Sequence, residues 1–315
     1  MENTLIVDKT QEVQIELKHW SHSQDQSFRE CLRKWYLRTV VGLEQKRKSD
    51  ALHRGLAIHY GLEQFHTLDV PDRSLDVLEY HFSEYYATQR DIIADEADYP
   101  EEALTTFDAW HDNEGLRTVK QLWDSFGQDE GIPALTLTEF TAEVPIPGTA
   151  VKYQYRLDAL VLNTETPFIF ETKSMGKDNR KGYDMYDLQA PRNVWAVNMT
   201  LQEEQGDSYV PIHHLMYNFI VWPGKRTGVR LERRTTTPSA PMQLAAVSDL
   251  GLIIEEALRP NLVIYPNWRG TWCRNCDFFA ICEADYEGRD RDEIIDQKYT
   301  IREKPTGAII HEVSN

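Results

Sequence analysis

Asp158 and Glu171 stand on two apolar runs that a short turn brings side by side, and Lys173 lies two positions beyond the second carboxylate. The runs are Arg156-Leu157-Asp158-Ala159-Leu160-Val161 and Phe168-Ile169-Phe170-Glu171-Thr172-Lys173, separated by Asn163-Thr164-Glu165-Thr166-Pro167. Two apolar runs around a short polar connection predict a hairpin. A period of two puts Ile169, Glu171 and Lys173 on one face of the second strand, with Phe168 and Phe170 on the other. Two carboxylates on adjacent strands suit Mg²⁺, which takes oxygen ligands and keeps waters or phosphate oxygens in its remaining positions. A lysine beside such a cation can orient or help deprotonate attacking water, or neutralise charge developing on a phosphate. Taken alone, the same residues also describe a surface ion pair on a half-buried hairpin.

A second group is built from sulfur. Cys273-x2-Cys276-x5-Cys282 offers three soft ligands within ten residues, beside Trp272, Phe278, Phe279 and Ile281. Three thiols leave a tetrahedral ion or a cubane cluster one ligand short, and Cys31 is the one cysteine left to supply it. Disulfides are unusual in a cytosolic chain, so ligation is the more natural use. A fourth ligand from 242 residues upstream (273 − 31) would staple the carboxy-terminal segment onto the first helix. The competing reading is a buried free thiol, because Phe28, Cys31, Leu32, Trp35 and Tyr36 make an apolar stripe at helical spacing.

The elements that must position these groups follow in order. A short opening stretch reads as an edge strand, and Ser21 to Tyr36 as a capped helix. A second helix covers Ala51 to Phe65, with His59 near its middle, where it either satisfies itself within a helical layer or projects towards a cation. Residues 72–94 and 99–127 read as helices whose aromatic residues are packing, and Gly127 and Gly131-Ile132-Pro133 end this part. Strands are expected over Leu135–Val144, Val151–Leu162 and Phe168–Lys173, then a helix from about Asp184 to Leu201. In that helix Gln189 and Asn193 are four apart, and Pro191 bends the helix or moves its start. Ser208–Trp222 reads as strand, Lys225–Pro241 as a long hairpin tip or mobile loop, and Leu244–Leu258 as helix. His213-His214 is a poor two-ligand site, since neighbours on a strand face opposite ways.

Composition bounds the partners. The 315 residues suffice for one large or two modest domains, and 41% hydrophobic with 27% charged residues describes an ordinary globular chain. A net charge of −17 argues against nonspecific coating of nucleic acid by the whole surface. It leaves room for a local basic channel from Lys46-Arg47-Lys48, Lys177, Arg180, Lys181, Lys225, Arg226, Arg230, Arg233 and Arg234. No run approaches the length of a membrane span and the opening residues lack a signal pattern, so the expected location is cytoplasmic, with no membrane partner. The Gly-rich loop ending in Gly-Lys-Ser/Thr is absent, so unwinding would need a partner.

The ordered set Ser23-x7-Cys31-x3-Trp35-Tyr36, Gly55-x3-His59, Asp158, Glu171-Thr172-Lys173, Gln189 and Cys273-x2-Cys276-x5-Cys282 resembles the RecB-like branch of the PD-(D/E)XK nuclease superfamily. The resemblance is to members with one cysteine before the core and three after it, such as AddB-type subunits and CRISPR-associated exonucleases. It implies an α/β fold with a restriction-endonuclease-like mixed sheet flanked by helices. It divides the chain into a mainly helical region (1–130) carrying Cys31 and His59, a nuclease core (131–223), and a basic loop, helix and carboxy-terminal iron–sulfur segment (224–315). It further implies a [4Fe–4S] cluster on Cys31, Cys273, Cys276 and Cys282. Mg²⁺ or Mn²⁺ would be held by His59, Asp158, Glu171 and the Thr172 carbonyl, Lys173 would assist the attacking water, and Gln189 would lie near the DNA.

The usual Gln is followed four positions later by Tyr. Here Asn193 and the internal Pro191 depart from that pattern, which touches substrate placement and leaves the metal ligands intact. The implied activity is a metal-dependent deoxyribonuclease, an exonuclease trimming single-stranded or free DNA ends in recombination, repair or phage processing and leaving a 5′-phosphate. A helicase or recombination partner and a homo-oligomer are compatible with it. The alternative is a noncatalytic DNA-end-binding scaffold subunit, which has no chemical need for Asp158, Glu171, Lys173 and His59 together.

Overall fold

The structure, a computed structural model, describes residues 13–46, 50–95, 108, 111, 115–126, 133–175, 187–221, 229–260, 262–267, 273–302 and 308–312. The chain begins with β1 (Val13–Leu17) and β2 (His19–Trp20). Ser21 then caps α1 (His22–Glu30), its hydroxyl accepting from the Gln24 N–H at 3.3 Å. A short helix, α2 (Leu32–Trp35), and β3 (Leu43–Gln45) follow. Next come α3 (Asp50–Thr67), α4 (Leu75–Asp95) and α5 (Leu116–Phe126). Strands β4 (Leu137–Pro145), β5 (Lys152–Val161) and β6 (Phe168–Met175) precede α6 (Gln189–Gln205), β7 (His214–Val221) and β8 (Arg230–Thr236). The chain continues through α7 (Ala240–Ala257), α8 (Phe279–Glu287), α9 (Arg291–Lys298), β9 (Tyr299–Ile301) and β10 (Ala308–Glu312).

These elements form two compact units, each discontinuous in sequence: Met1–Arg47, Glu143–Tyr155 and Leu244–Asn315 make the first, Lys48–Ala142 and Arg156–Gln243 the second. The first unit is discontinuous because the late strands return to the early ones: β10 pairs antiparallel with β1, and β9 with β3.

In the second unit the sheet is mixed. β6 runs antiparallel to β5 and parallel to β7, and β8 is antiparallel to β7. A parallel neighbour demands a crossover, and α6 lies in the connection between β6 and β7. Asn198 secures it: its side chain donates to the Ile212 carbonyl and accepts from the Ile212 N–H, both at 2.8 Å. Ala57, Ile58, Leu62 and Phe65 of α3 pack with Leu78, Phe82 and Tyr86 of α4, Val119 and Leu122 of α5, and Ile220 of β7. Full burial of such a side chain stabilises by about 1.5–3 kcal/mol. At Gly61 of α3 a Cβ would stand in contact with α4, 3.4 Å from the Phe82 backbone nitrogen, which leaves no room for a larger side chain.

The first unit is centred on aromatic rings. Phe28 and Trp35 meet edge to face at 5.1 Å between centroids, and Trp20 lies 5.7 Å from Phe28 and 5.9 Å from Trp35. Such contacts add to the area that the rings bury. In α7, Ala246, Val247, Leu250, Ile253, Ile254 and Ala257 form a buried stripe at spacings of three and four. Among the described residues no helix is long and apolar enough to cross a membrane.

Two expectations are corrected here. Residues 230–236, read as a loop tip, form strand β8 in register with β7 from Arg230↔Val221 to Thr236↔Leu215. Its charges hide the strand pattern, as they do on many edge strands, while Leu231 still packs onto the core. The Cys31 stripe is not one helix: Cys31 is extended (φ −165°, ψ 119°) between α1 and α2 and only half-buried. Its N–H still bonds to Ser27 O and its carbonyl still accepts from Trp35 N–H, both at 3.0 Å, so no stop signal marks the break.

Candidate functional site

The hairpin register sets the two carboxylates together. Backbone pairing runs from Val161↔Phe168 to Ala159↔Phe170. One step further, the Thr172 N–H donates to Asp158 Oδ2 at 2.6 Å. Glu171 has the face that the period of two assigns it, and it is 4% exposed. Its Oε1 accepts from Lys173 Nζ at 2.6 Å and from Gln189 Nε2 at 2.9 Å, whereas Oε2 has no hydrogen-bond partner. His59, from the middle of α3, places Nδ1 3.9 Å from Asp158 Oδ2. All six residues expected here, His59, Asp158, Glu171, Thr172, Lys173 and Gln189, therefore belong to one neighbourhood of the second unit.

Burial and charge tune these groups in opposite directions. Burial and the nearby Glu171 charge raise the Asp158 carboxyl from 3.8 to about 7, against Lys173 and the Thr172 N–H. Burial, then the Lys173 ammonium, lowers the His59 imidazole to about 4, so it is neutral near pH 7 with a lone pair to give. Burial disfavours charge on Lys173, but the charge and hydrogen bond of Glu171, with Asp158 behind it, outweigh burial and hold the amine above its usual range. Lys173 is an ammonium donor rather than a free base.

The donor set suits a hard divalent cation: two carboxylates, a neutral imidazole, and a buried carboxylate oxygen left bare at the cost of its hydration. Among the described residues no three His, Cys, Asp or Glu side chains already stand at metal-ligand spacing. Within the site the Thr172 N–H occupies one oxygen of Asp158, and Lys173 and Gln189 occupy one of Glu171.

In the first unit all four cysteines line one cavity of about 420 Å³, together with Glu30, Lys34, Asn267, Phe278 and Phe279. Asn267 links its two sides: its N–H donates to Cys31 Sγ at 3.3 Å, its carbonyl accepts from Cys273 Sγ at 3.5 Å, and its amide donates to Glu30 O at 2.9 Å. Arg33 pairs with Asp285 and Arg38 with Asp277, tying the Cys31 segment to the late cysteines. Burial raises the Cys276 thiol and pushes Cys282 up to about 11, so both are protonated at neutral pH.

The sequence pattern of the PD-(D/E)XK nuclease superfamily matches residues 19–283. The chain belongs to that superfamily. Among solved structures, a protein of Eubacterium rectale whose assignment as an exonuclease is provisional is similar over 82% of this chain and 88% of its own, at 12% identity and a TM-score of 0.48. A second, SSO0001, is similar over 74% of this chain and 95% of its own, at 16% identity and a TM-score of 0.31. No curated protein matches the chain.

Within the superfamily match lie all six clustered residues and all four cysteines. Pro191 proves harmless to its helix: α6 begins at Gln189, which puts the proline in the first turn, where its missing N–H has no helical partner to lose. Asn193, in place of the usual tyrosine, is buried. Sequence reasoning missed Asp187 and Tyr217. The Asp187 Oδ1 accepts from the Gln189 N–H at 2.9 Å, and its Oδ2 accepts from the Tyr217 hydroxyl. An aspartate two residues before a helix start is a local signal for the first bond; nothing local announces the second. Of the expected basic channel, Arg47, Lys48, Lys177, Arg180, Lys181, Lys225 and Arg226 lie outside the described residues. Arg234 pairs with Glu232 at 2.9 Å.

Proposed function

We propose that this chain is a Mg²⁺- or Mn²⁺-dependent DNA exonuclease of the RecB-like branch, with a [4Fe–4S] cluster on Cys31, Cys273, Cys276 and Cys282. The observation that carries the nuclease reading is the buried Glu171, whose two oxygens are unequal: one is loaded by Lys173 and Gln189, the other is bare. A buried carboxylate oxygen without a partner is costly in an ion pair, and a cation bound there would satisfy it.

In this reading His59, Asp158, Glu171 and the Thr172 carbonyl hold the cation. When bound, it acts as a Lewis acid on the phosphoryl group and makes water more acidic. Asp158, with its raised carboxyl, must give up a proton near neutrality to become a full ligand. Thr172 fixes that carboxylate through its N–H. His59 stays neutral and contributes an uncharged donor. Lys173, held as an ammonium, neutralises charge that develops on the phosphate as water attacks phosphorus and the 3′-oxygen leaves. Gln189 keeps Glu171 from rotating.

The choice of exonuclease and of DNA ends rests on the resemblance of the ordered motif set with its split cysteines. For the sulfur site, a single tetrahedral ion holds thiolates at about 2.3 Å from the metal. The choice of a [4Fe–4S] cluster over one ion rests on the same resemblance, and the four cysteines lining one cavity are compatible with it. A scaffold role is the weaker reading, because a scaffold gains nothing from burying a bare carboxylate oxygen.

The test is anaerobically purified protein with end-labelled single- and double-stranded DNA, with and without Mg²⁺ or Mn²⁺, beside Lys173→Ala. Cation-dependent shortening, reduced about 10²–10³-fold in the variant, is the expected outcome. Binding of ends by iron-loaded protein without cutting either substrate would replace the nuclease with the scaffold.

A further inference from the structure

We infer that Asp187, held by the Tyr217 hydroxyl, is a positioning residue for the divalent cation: it pins the start of α6 so that Gln189 occupies one oxygen of Glu171 and leaves the other facing the cation. The inference rests on the cation site proposed above and adds to it two residues that the motif set does not contain.

A carboxylate can present either oxygen by a half-turn of its terminal torsion, so something must decide which one is taken. Lys173 alone is a poor judge, since an ammonium on a flexible stem follows the charge wherever it turns. Gln189 is a better one, provided that its backbone is fixed. Asp187 supplies the fixing with both oxygens: Oδ1 accepts the Gln189 N–H at 2.9 Å, and Oδ2 accepts the Tyr217 hydroxyl. Tyr217 is itself immobile, buried on β7 in register with Glu171 of β6. The path runs from Glu171 across the ladder to Tyr217, through Asp187 to Gln189, and back to Glu171 Oε1 at 2.9 Å. A closed ring of this kind fixes geometry in a way that a single bond does not. Partners that orient ligands in this manner are typically worth 10–100-fold in metal affinity.

The competing account is that Asp187 merely caps α6, in which case its loss lowers stability and leaves the cation alone. Mn²⁺ binding separates the two. Free Mn²⁺ is followed by its electron paramagnetic resonance signal, in the absence of DNA, with the full chain carrying its cluster, for wild type, Asp187→Ala, Asp187→Asn, Tyr217→Phe and Glu171→Gln. Asp187→Ala should raise Kd about tenfold. Tyr217→Phe should move Kd the same way, and Asp187→Asn, which keeps a carbonyl for the Gln189 N–H, should lose less than Asp187→Ala.

Glu171→Gln reports on the site itself: Mn²⁺ binding unchanged there overturns the cation site. Binding lost in Glu171→Gln with Kd within twofold of wild type in Asp187→Ala overturns the relay alone, as does a lower melting temperature without a change in Kd. If Asp187→Ala does not fold, Tyr217→Phe and Asp187→Asn decide the matter, and wild-type Kd in both overturns the relay.

Discussion

Replacing Asp158 by Asn should stabilise the cation-free protein, and more so as pH rises. The carboxyl is raised from 3.8 to about 7, so between these values the folded state binds more protons than the unfolded state does. Stability owed to this group is full below about pH 4 and is lost as pH climbs to about 7. Three units at 1.36 kcal/mol each would amount to about 4 kcal/mol. The Asp158 side chain keeps 30% of its surface in water, which halves the expectation to about 2 kcal/mol. His59, lowered to about 4, acts in the opposite sense between pH 4 and 6.5; its Nδ1 lies 3.9 Å from Asp158 Oδ2, so the two are coupled and the comparison is drawn at pH 8, where the imidazole is neutral in both proteins. The Asn side-chain oxygen still accepts the Thr172 N–H. Urea unfolding followed by circular dichroism, in EDTA at pH 4, 6 and 8, should show a gap that starts near zero and opens to about 2 kcal/mol in favour of Asp158→Asn. Mg²⁺ at a hundred times its Kd should then return about 2.7 kcal/mol to the wild type and little to the variant. A gap that stays flat with pH, or favours the wild type at pH 8, refutes the idea of a carboxylate held at a cost for a cation.

Other outcomes follow from the same geometry. Cys282→Ser removes one of the sulfurs around the cavity, and iron per chain should fall well below that of the wild type together with the melting temperature; iron content at the wild-type level would exclude this thiol as a ligand. Gly61→Val forces a side chain against the Phe82 backbone, and urea unfolding should report a loss of about 1–3 kcal/mol with cleavage by the remaining folded protein retained. The amine of Lys173 is held protonated, so at Mg²⁺ well below its Kd, where the cation-free site titrates, cleavage should rise with pH to about 7 as Asp158 ionises and show no further rise attributable to a lysine base below pH 9.

Much of the candidate site is legible in the sequence because short-range periodicity writes it. Alternation along 168–173 fixes the face of Glu171 and Lys173, and the turn at 163–167 fixes the neighbour that carries Asp158. His59 needs only its place in a helix. What escapes is whatever depends on a distant partner or on a backbone break with no marker. Tyr217 meets Asp187 across thirty residues, and no pattern in either segment points to the other. Cys31 leaves helical geometry while its backbone bonds persist on both sides, so propensity and capping rules pass over it. Strand β8 is disguised by arginines and threonines, whose exposed face carries no apolar alternation.

The order in which the ribosome makes this chain gives the split cysteines a kinetic meaning. The second unit, with His59, Asp158, Glu171, Lys173 and Gln189, is complete once Gln243 has been made. Cys273 comes thirty residues later, and Cys31 has by then waited for 242 residues (273 − 31). At about 5–20 residues per second that wait lasts about 12–48 s. The residues of the proposed cation site are thus all synthesised before the four-cysteine cavity has its second thiol. Under the proposed iron–sulfur assignment, a cell short of iron would accumulate chains with a finished second unit and an unfinished first one, and iron supply would then govern the lifetime of the protein as well as its assembly.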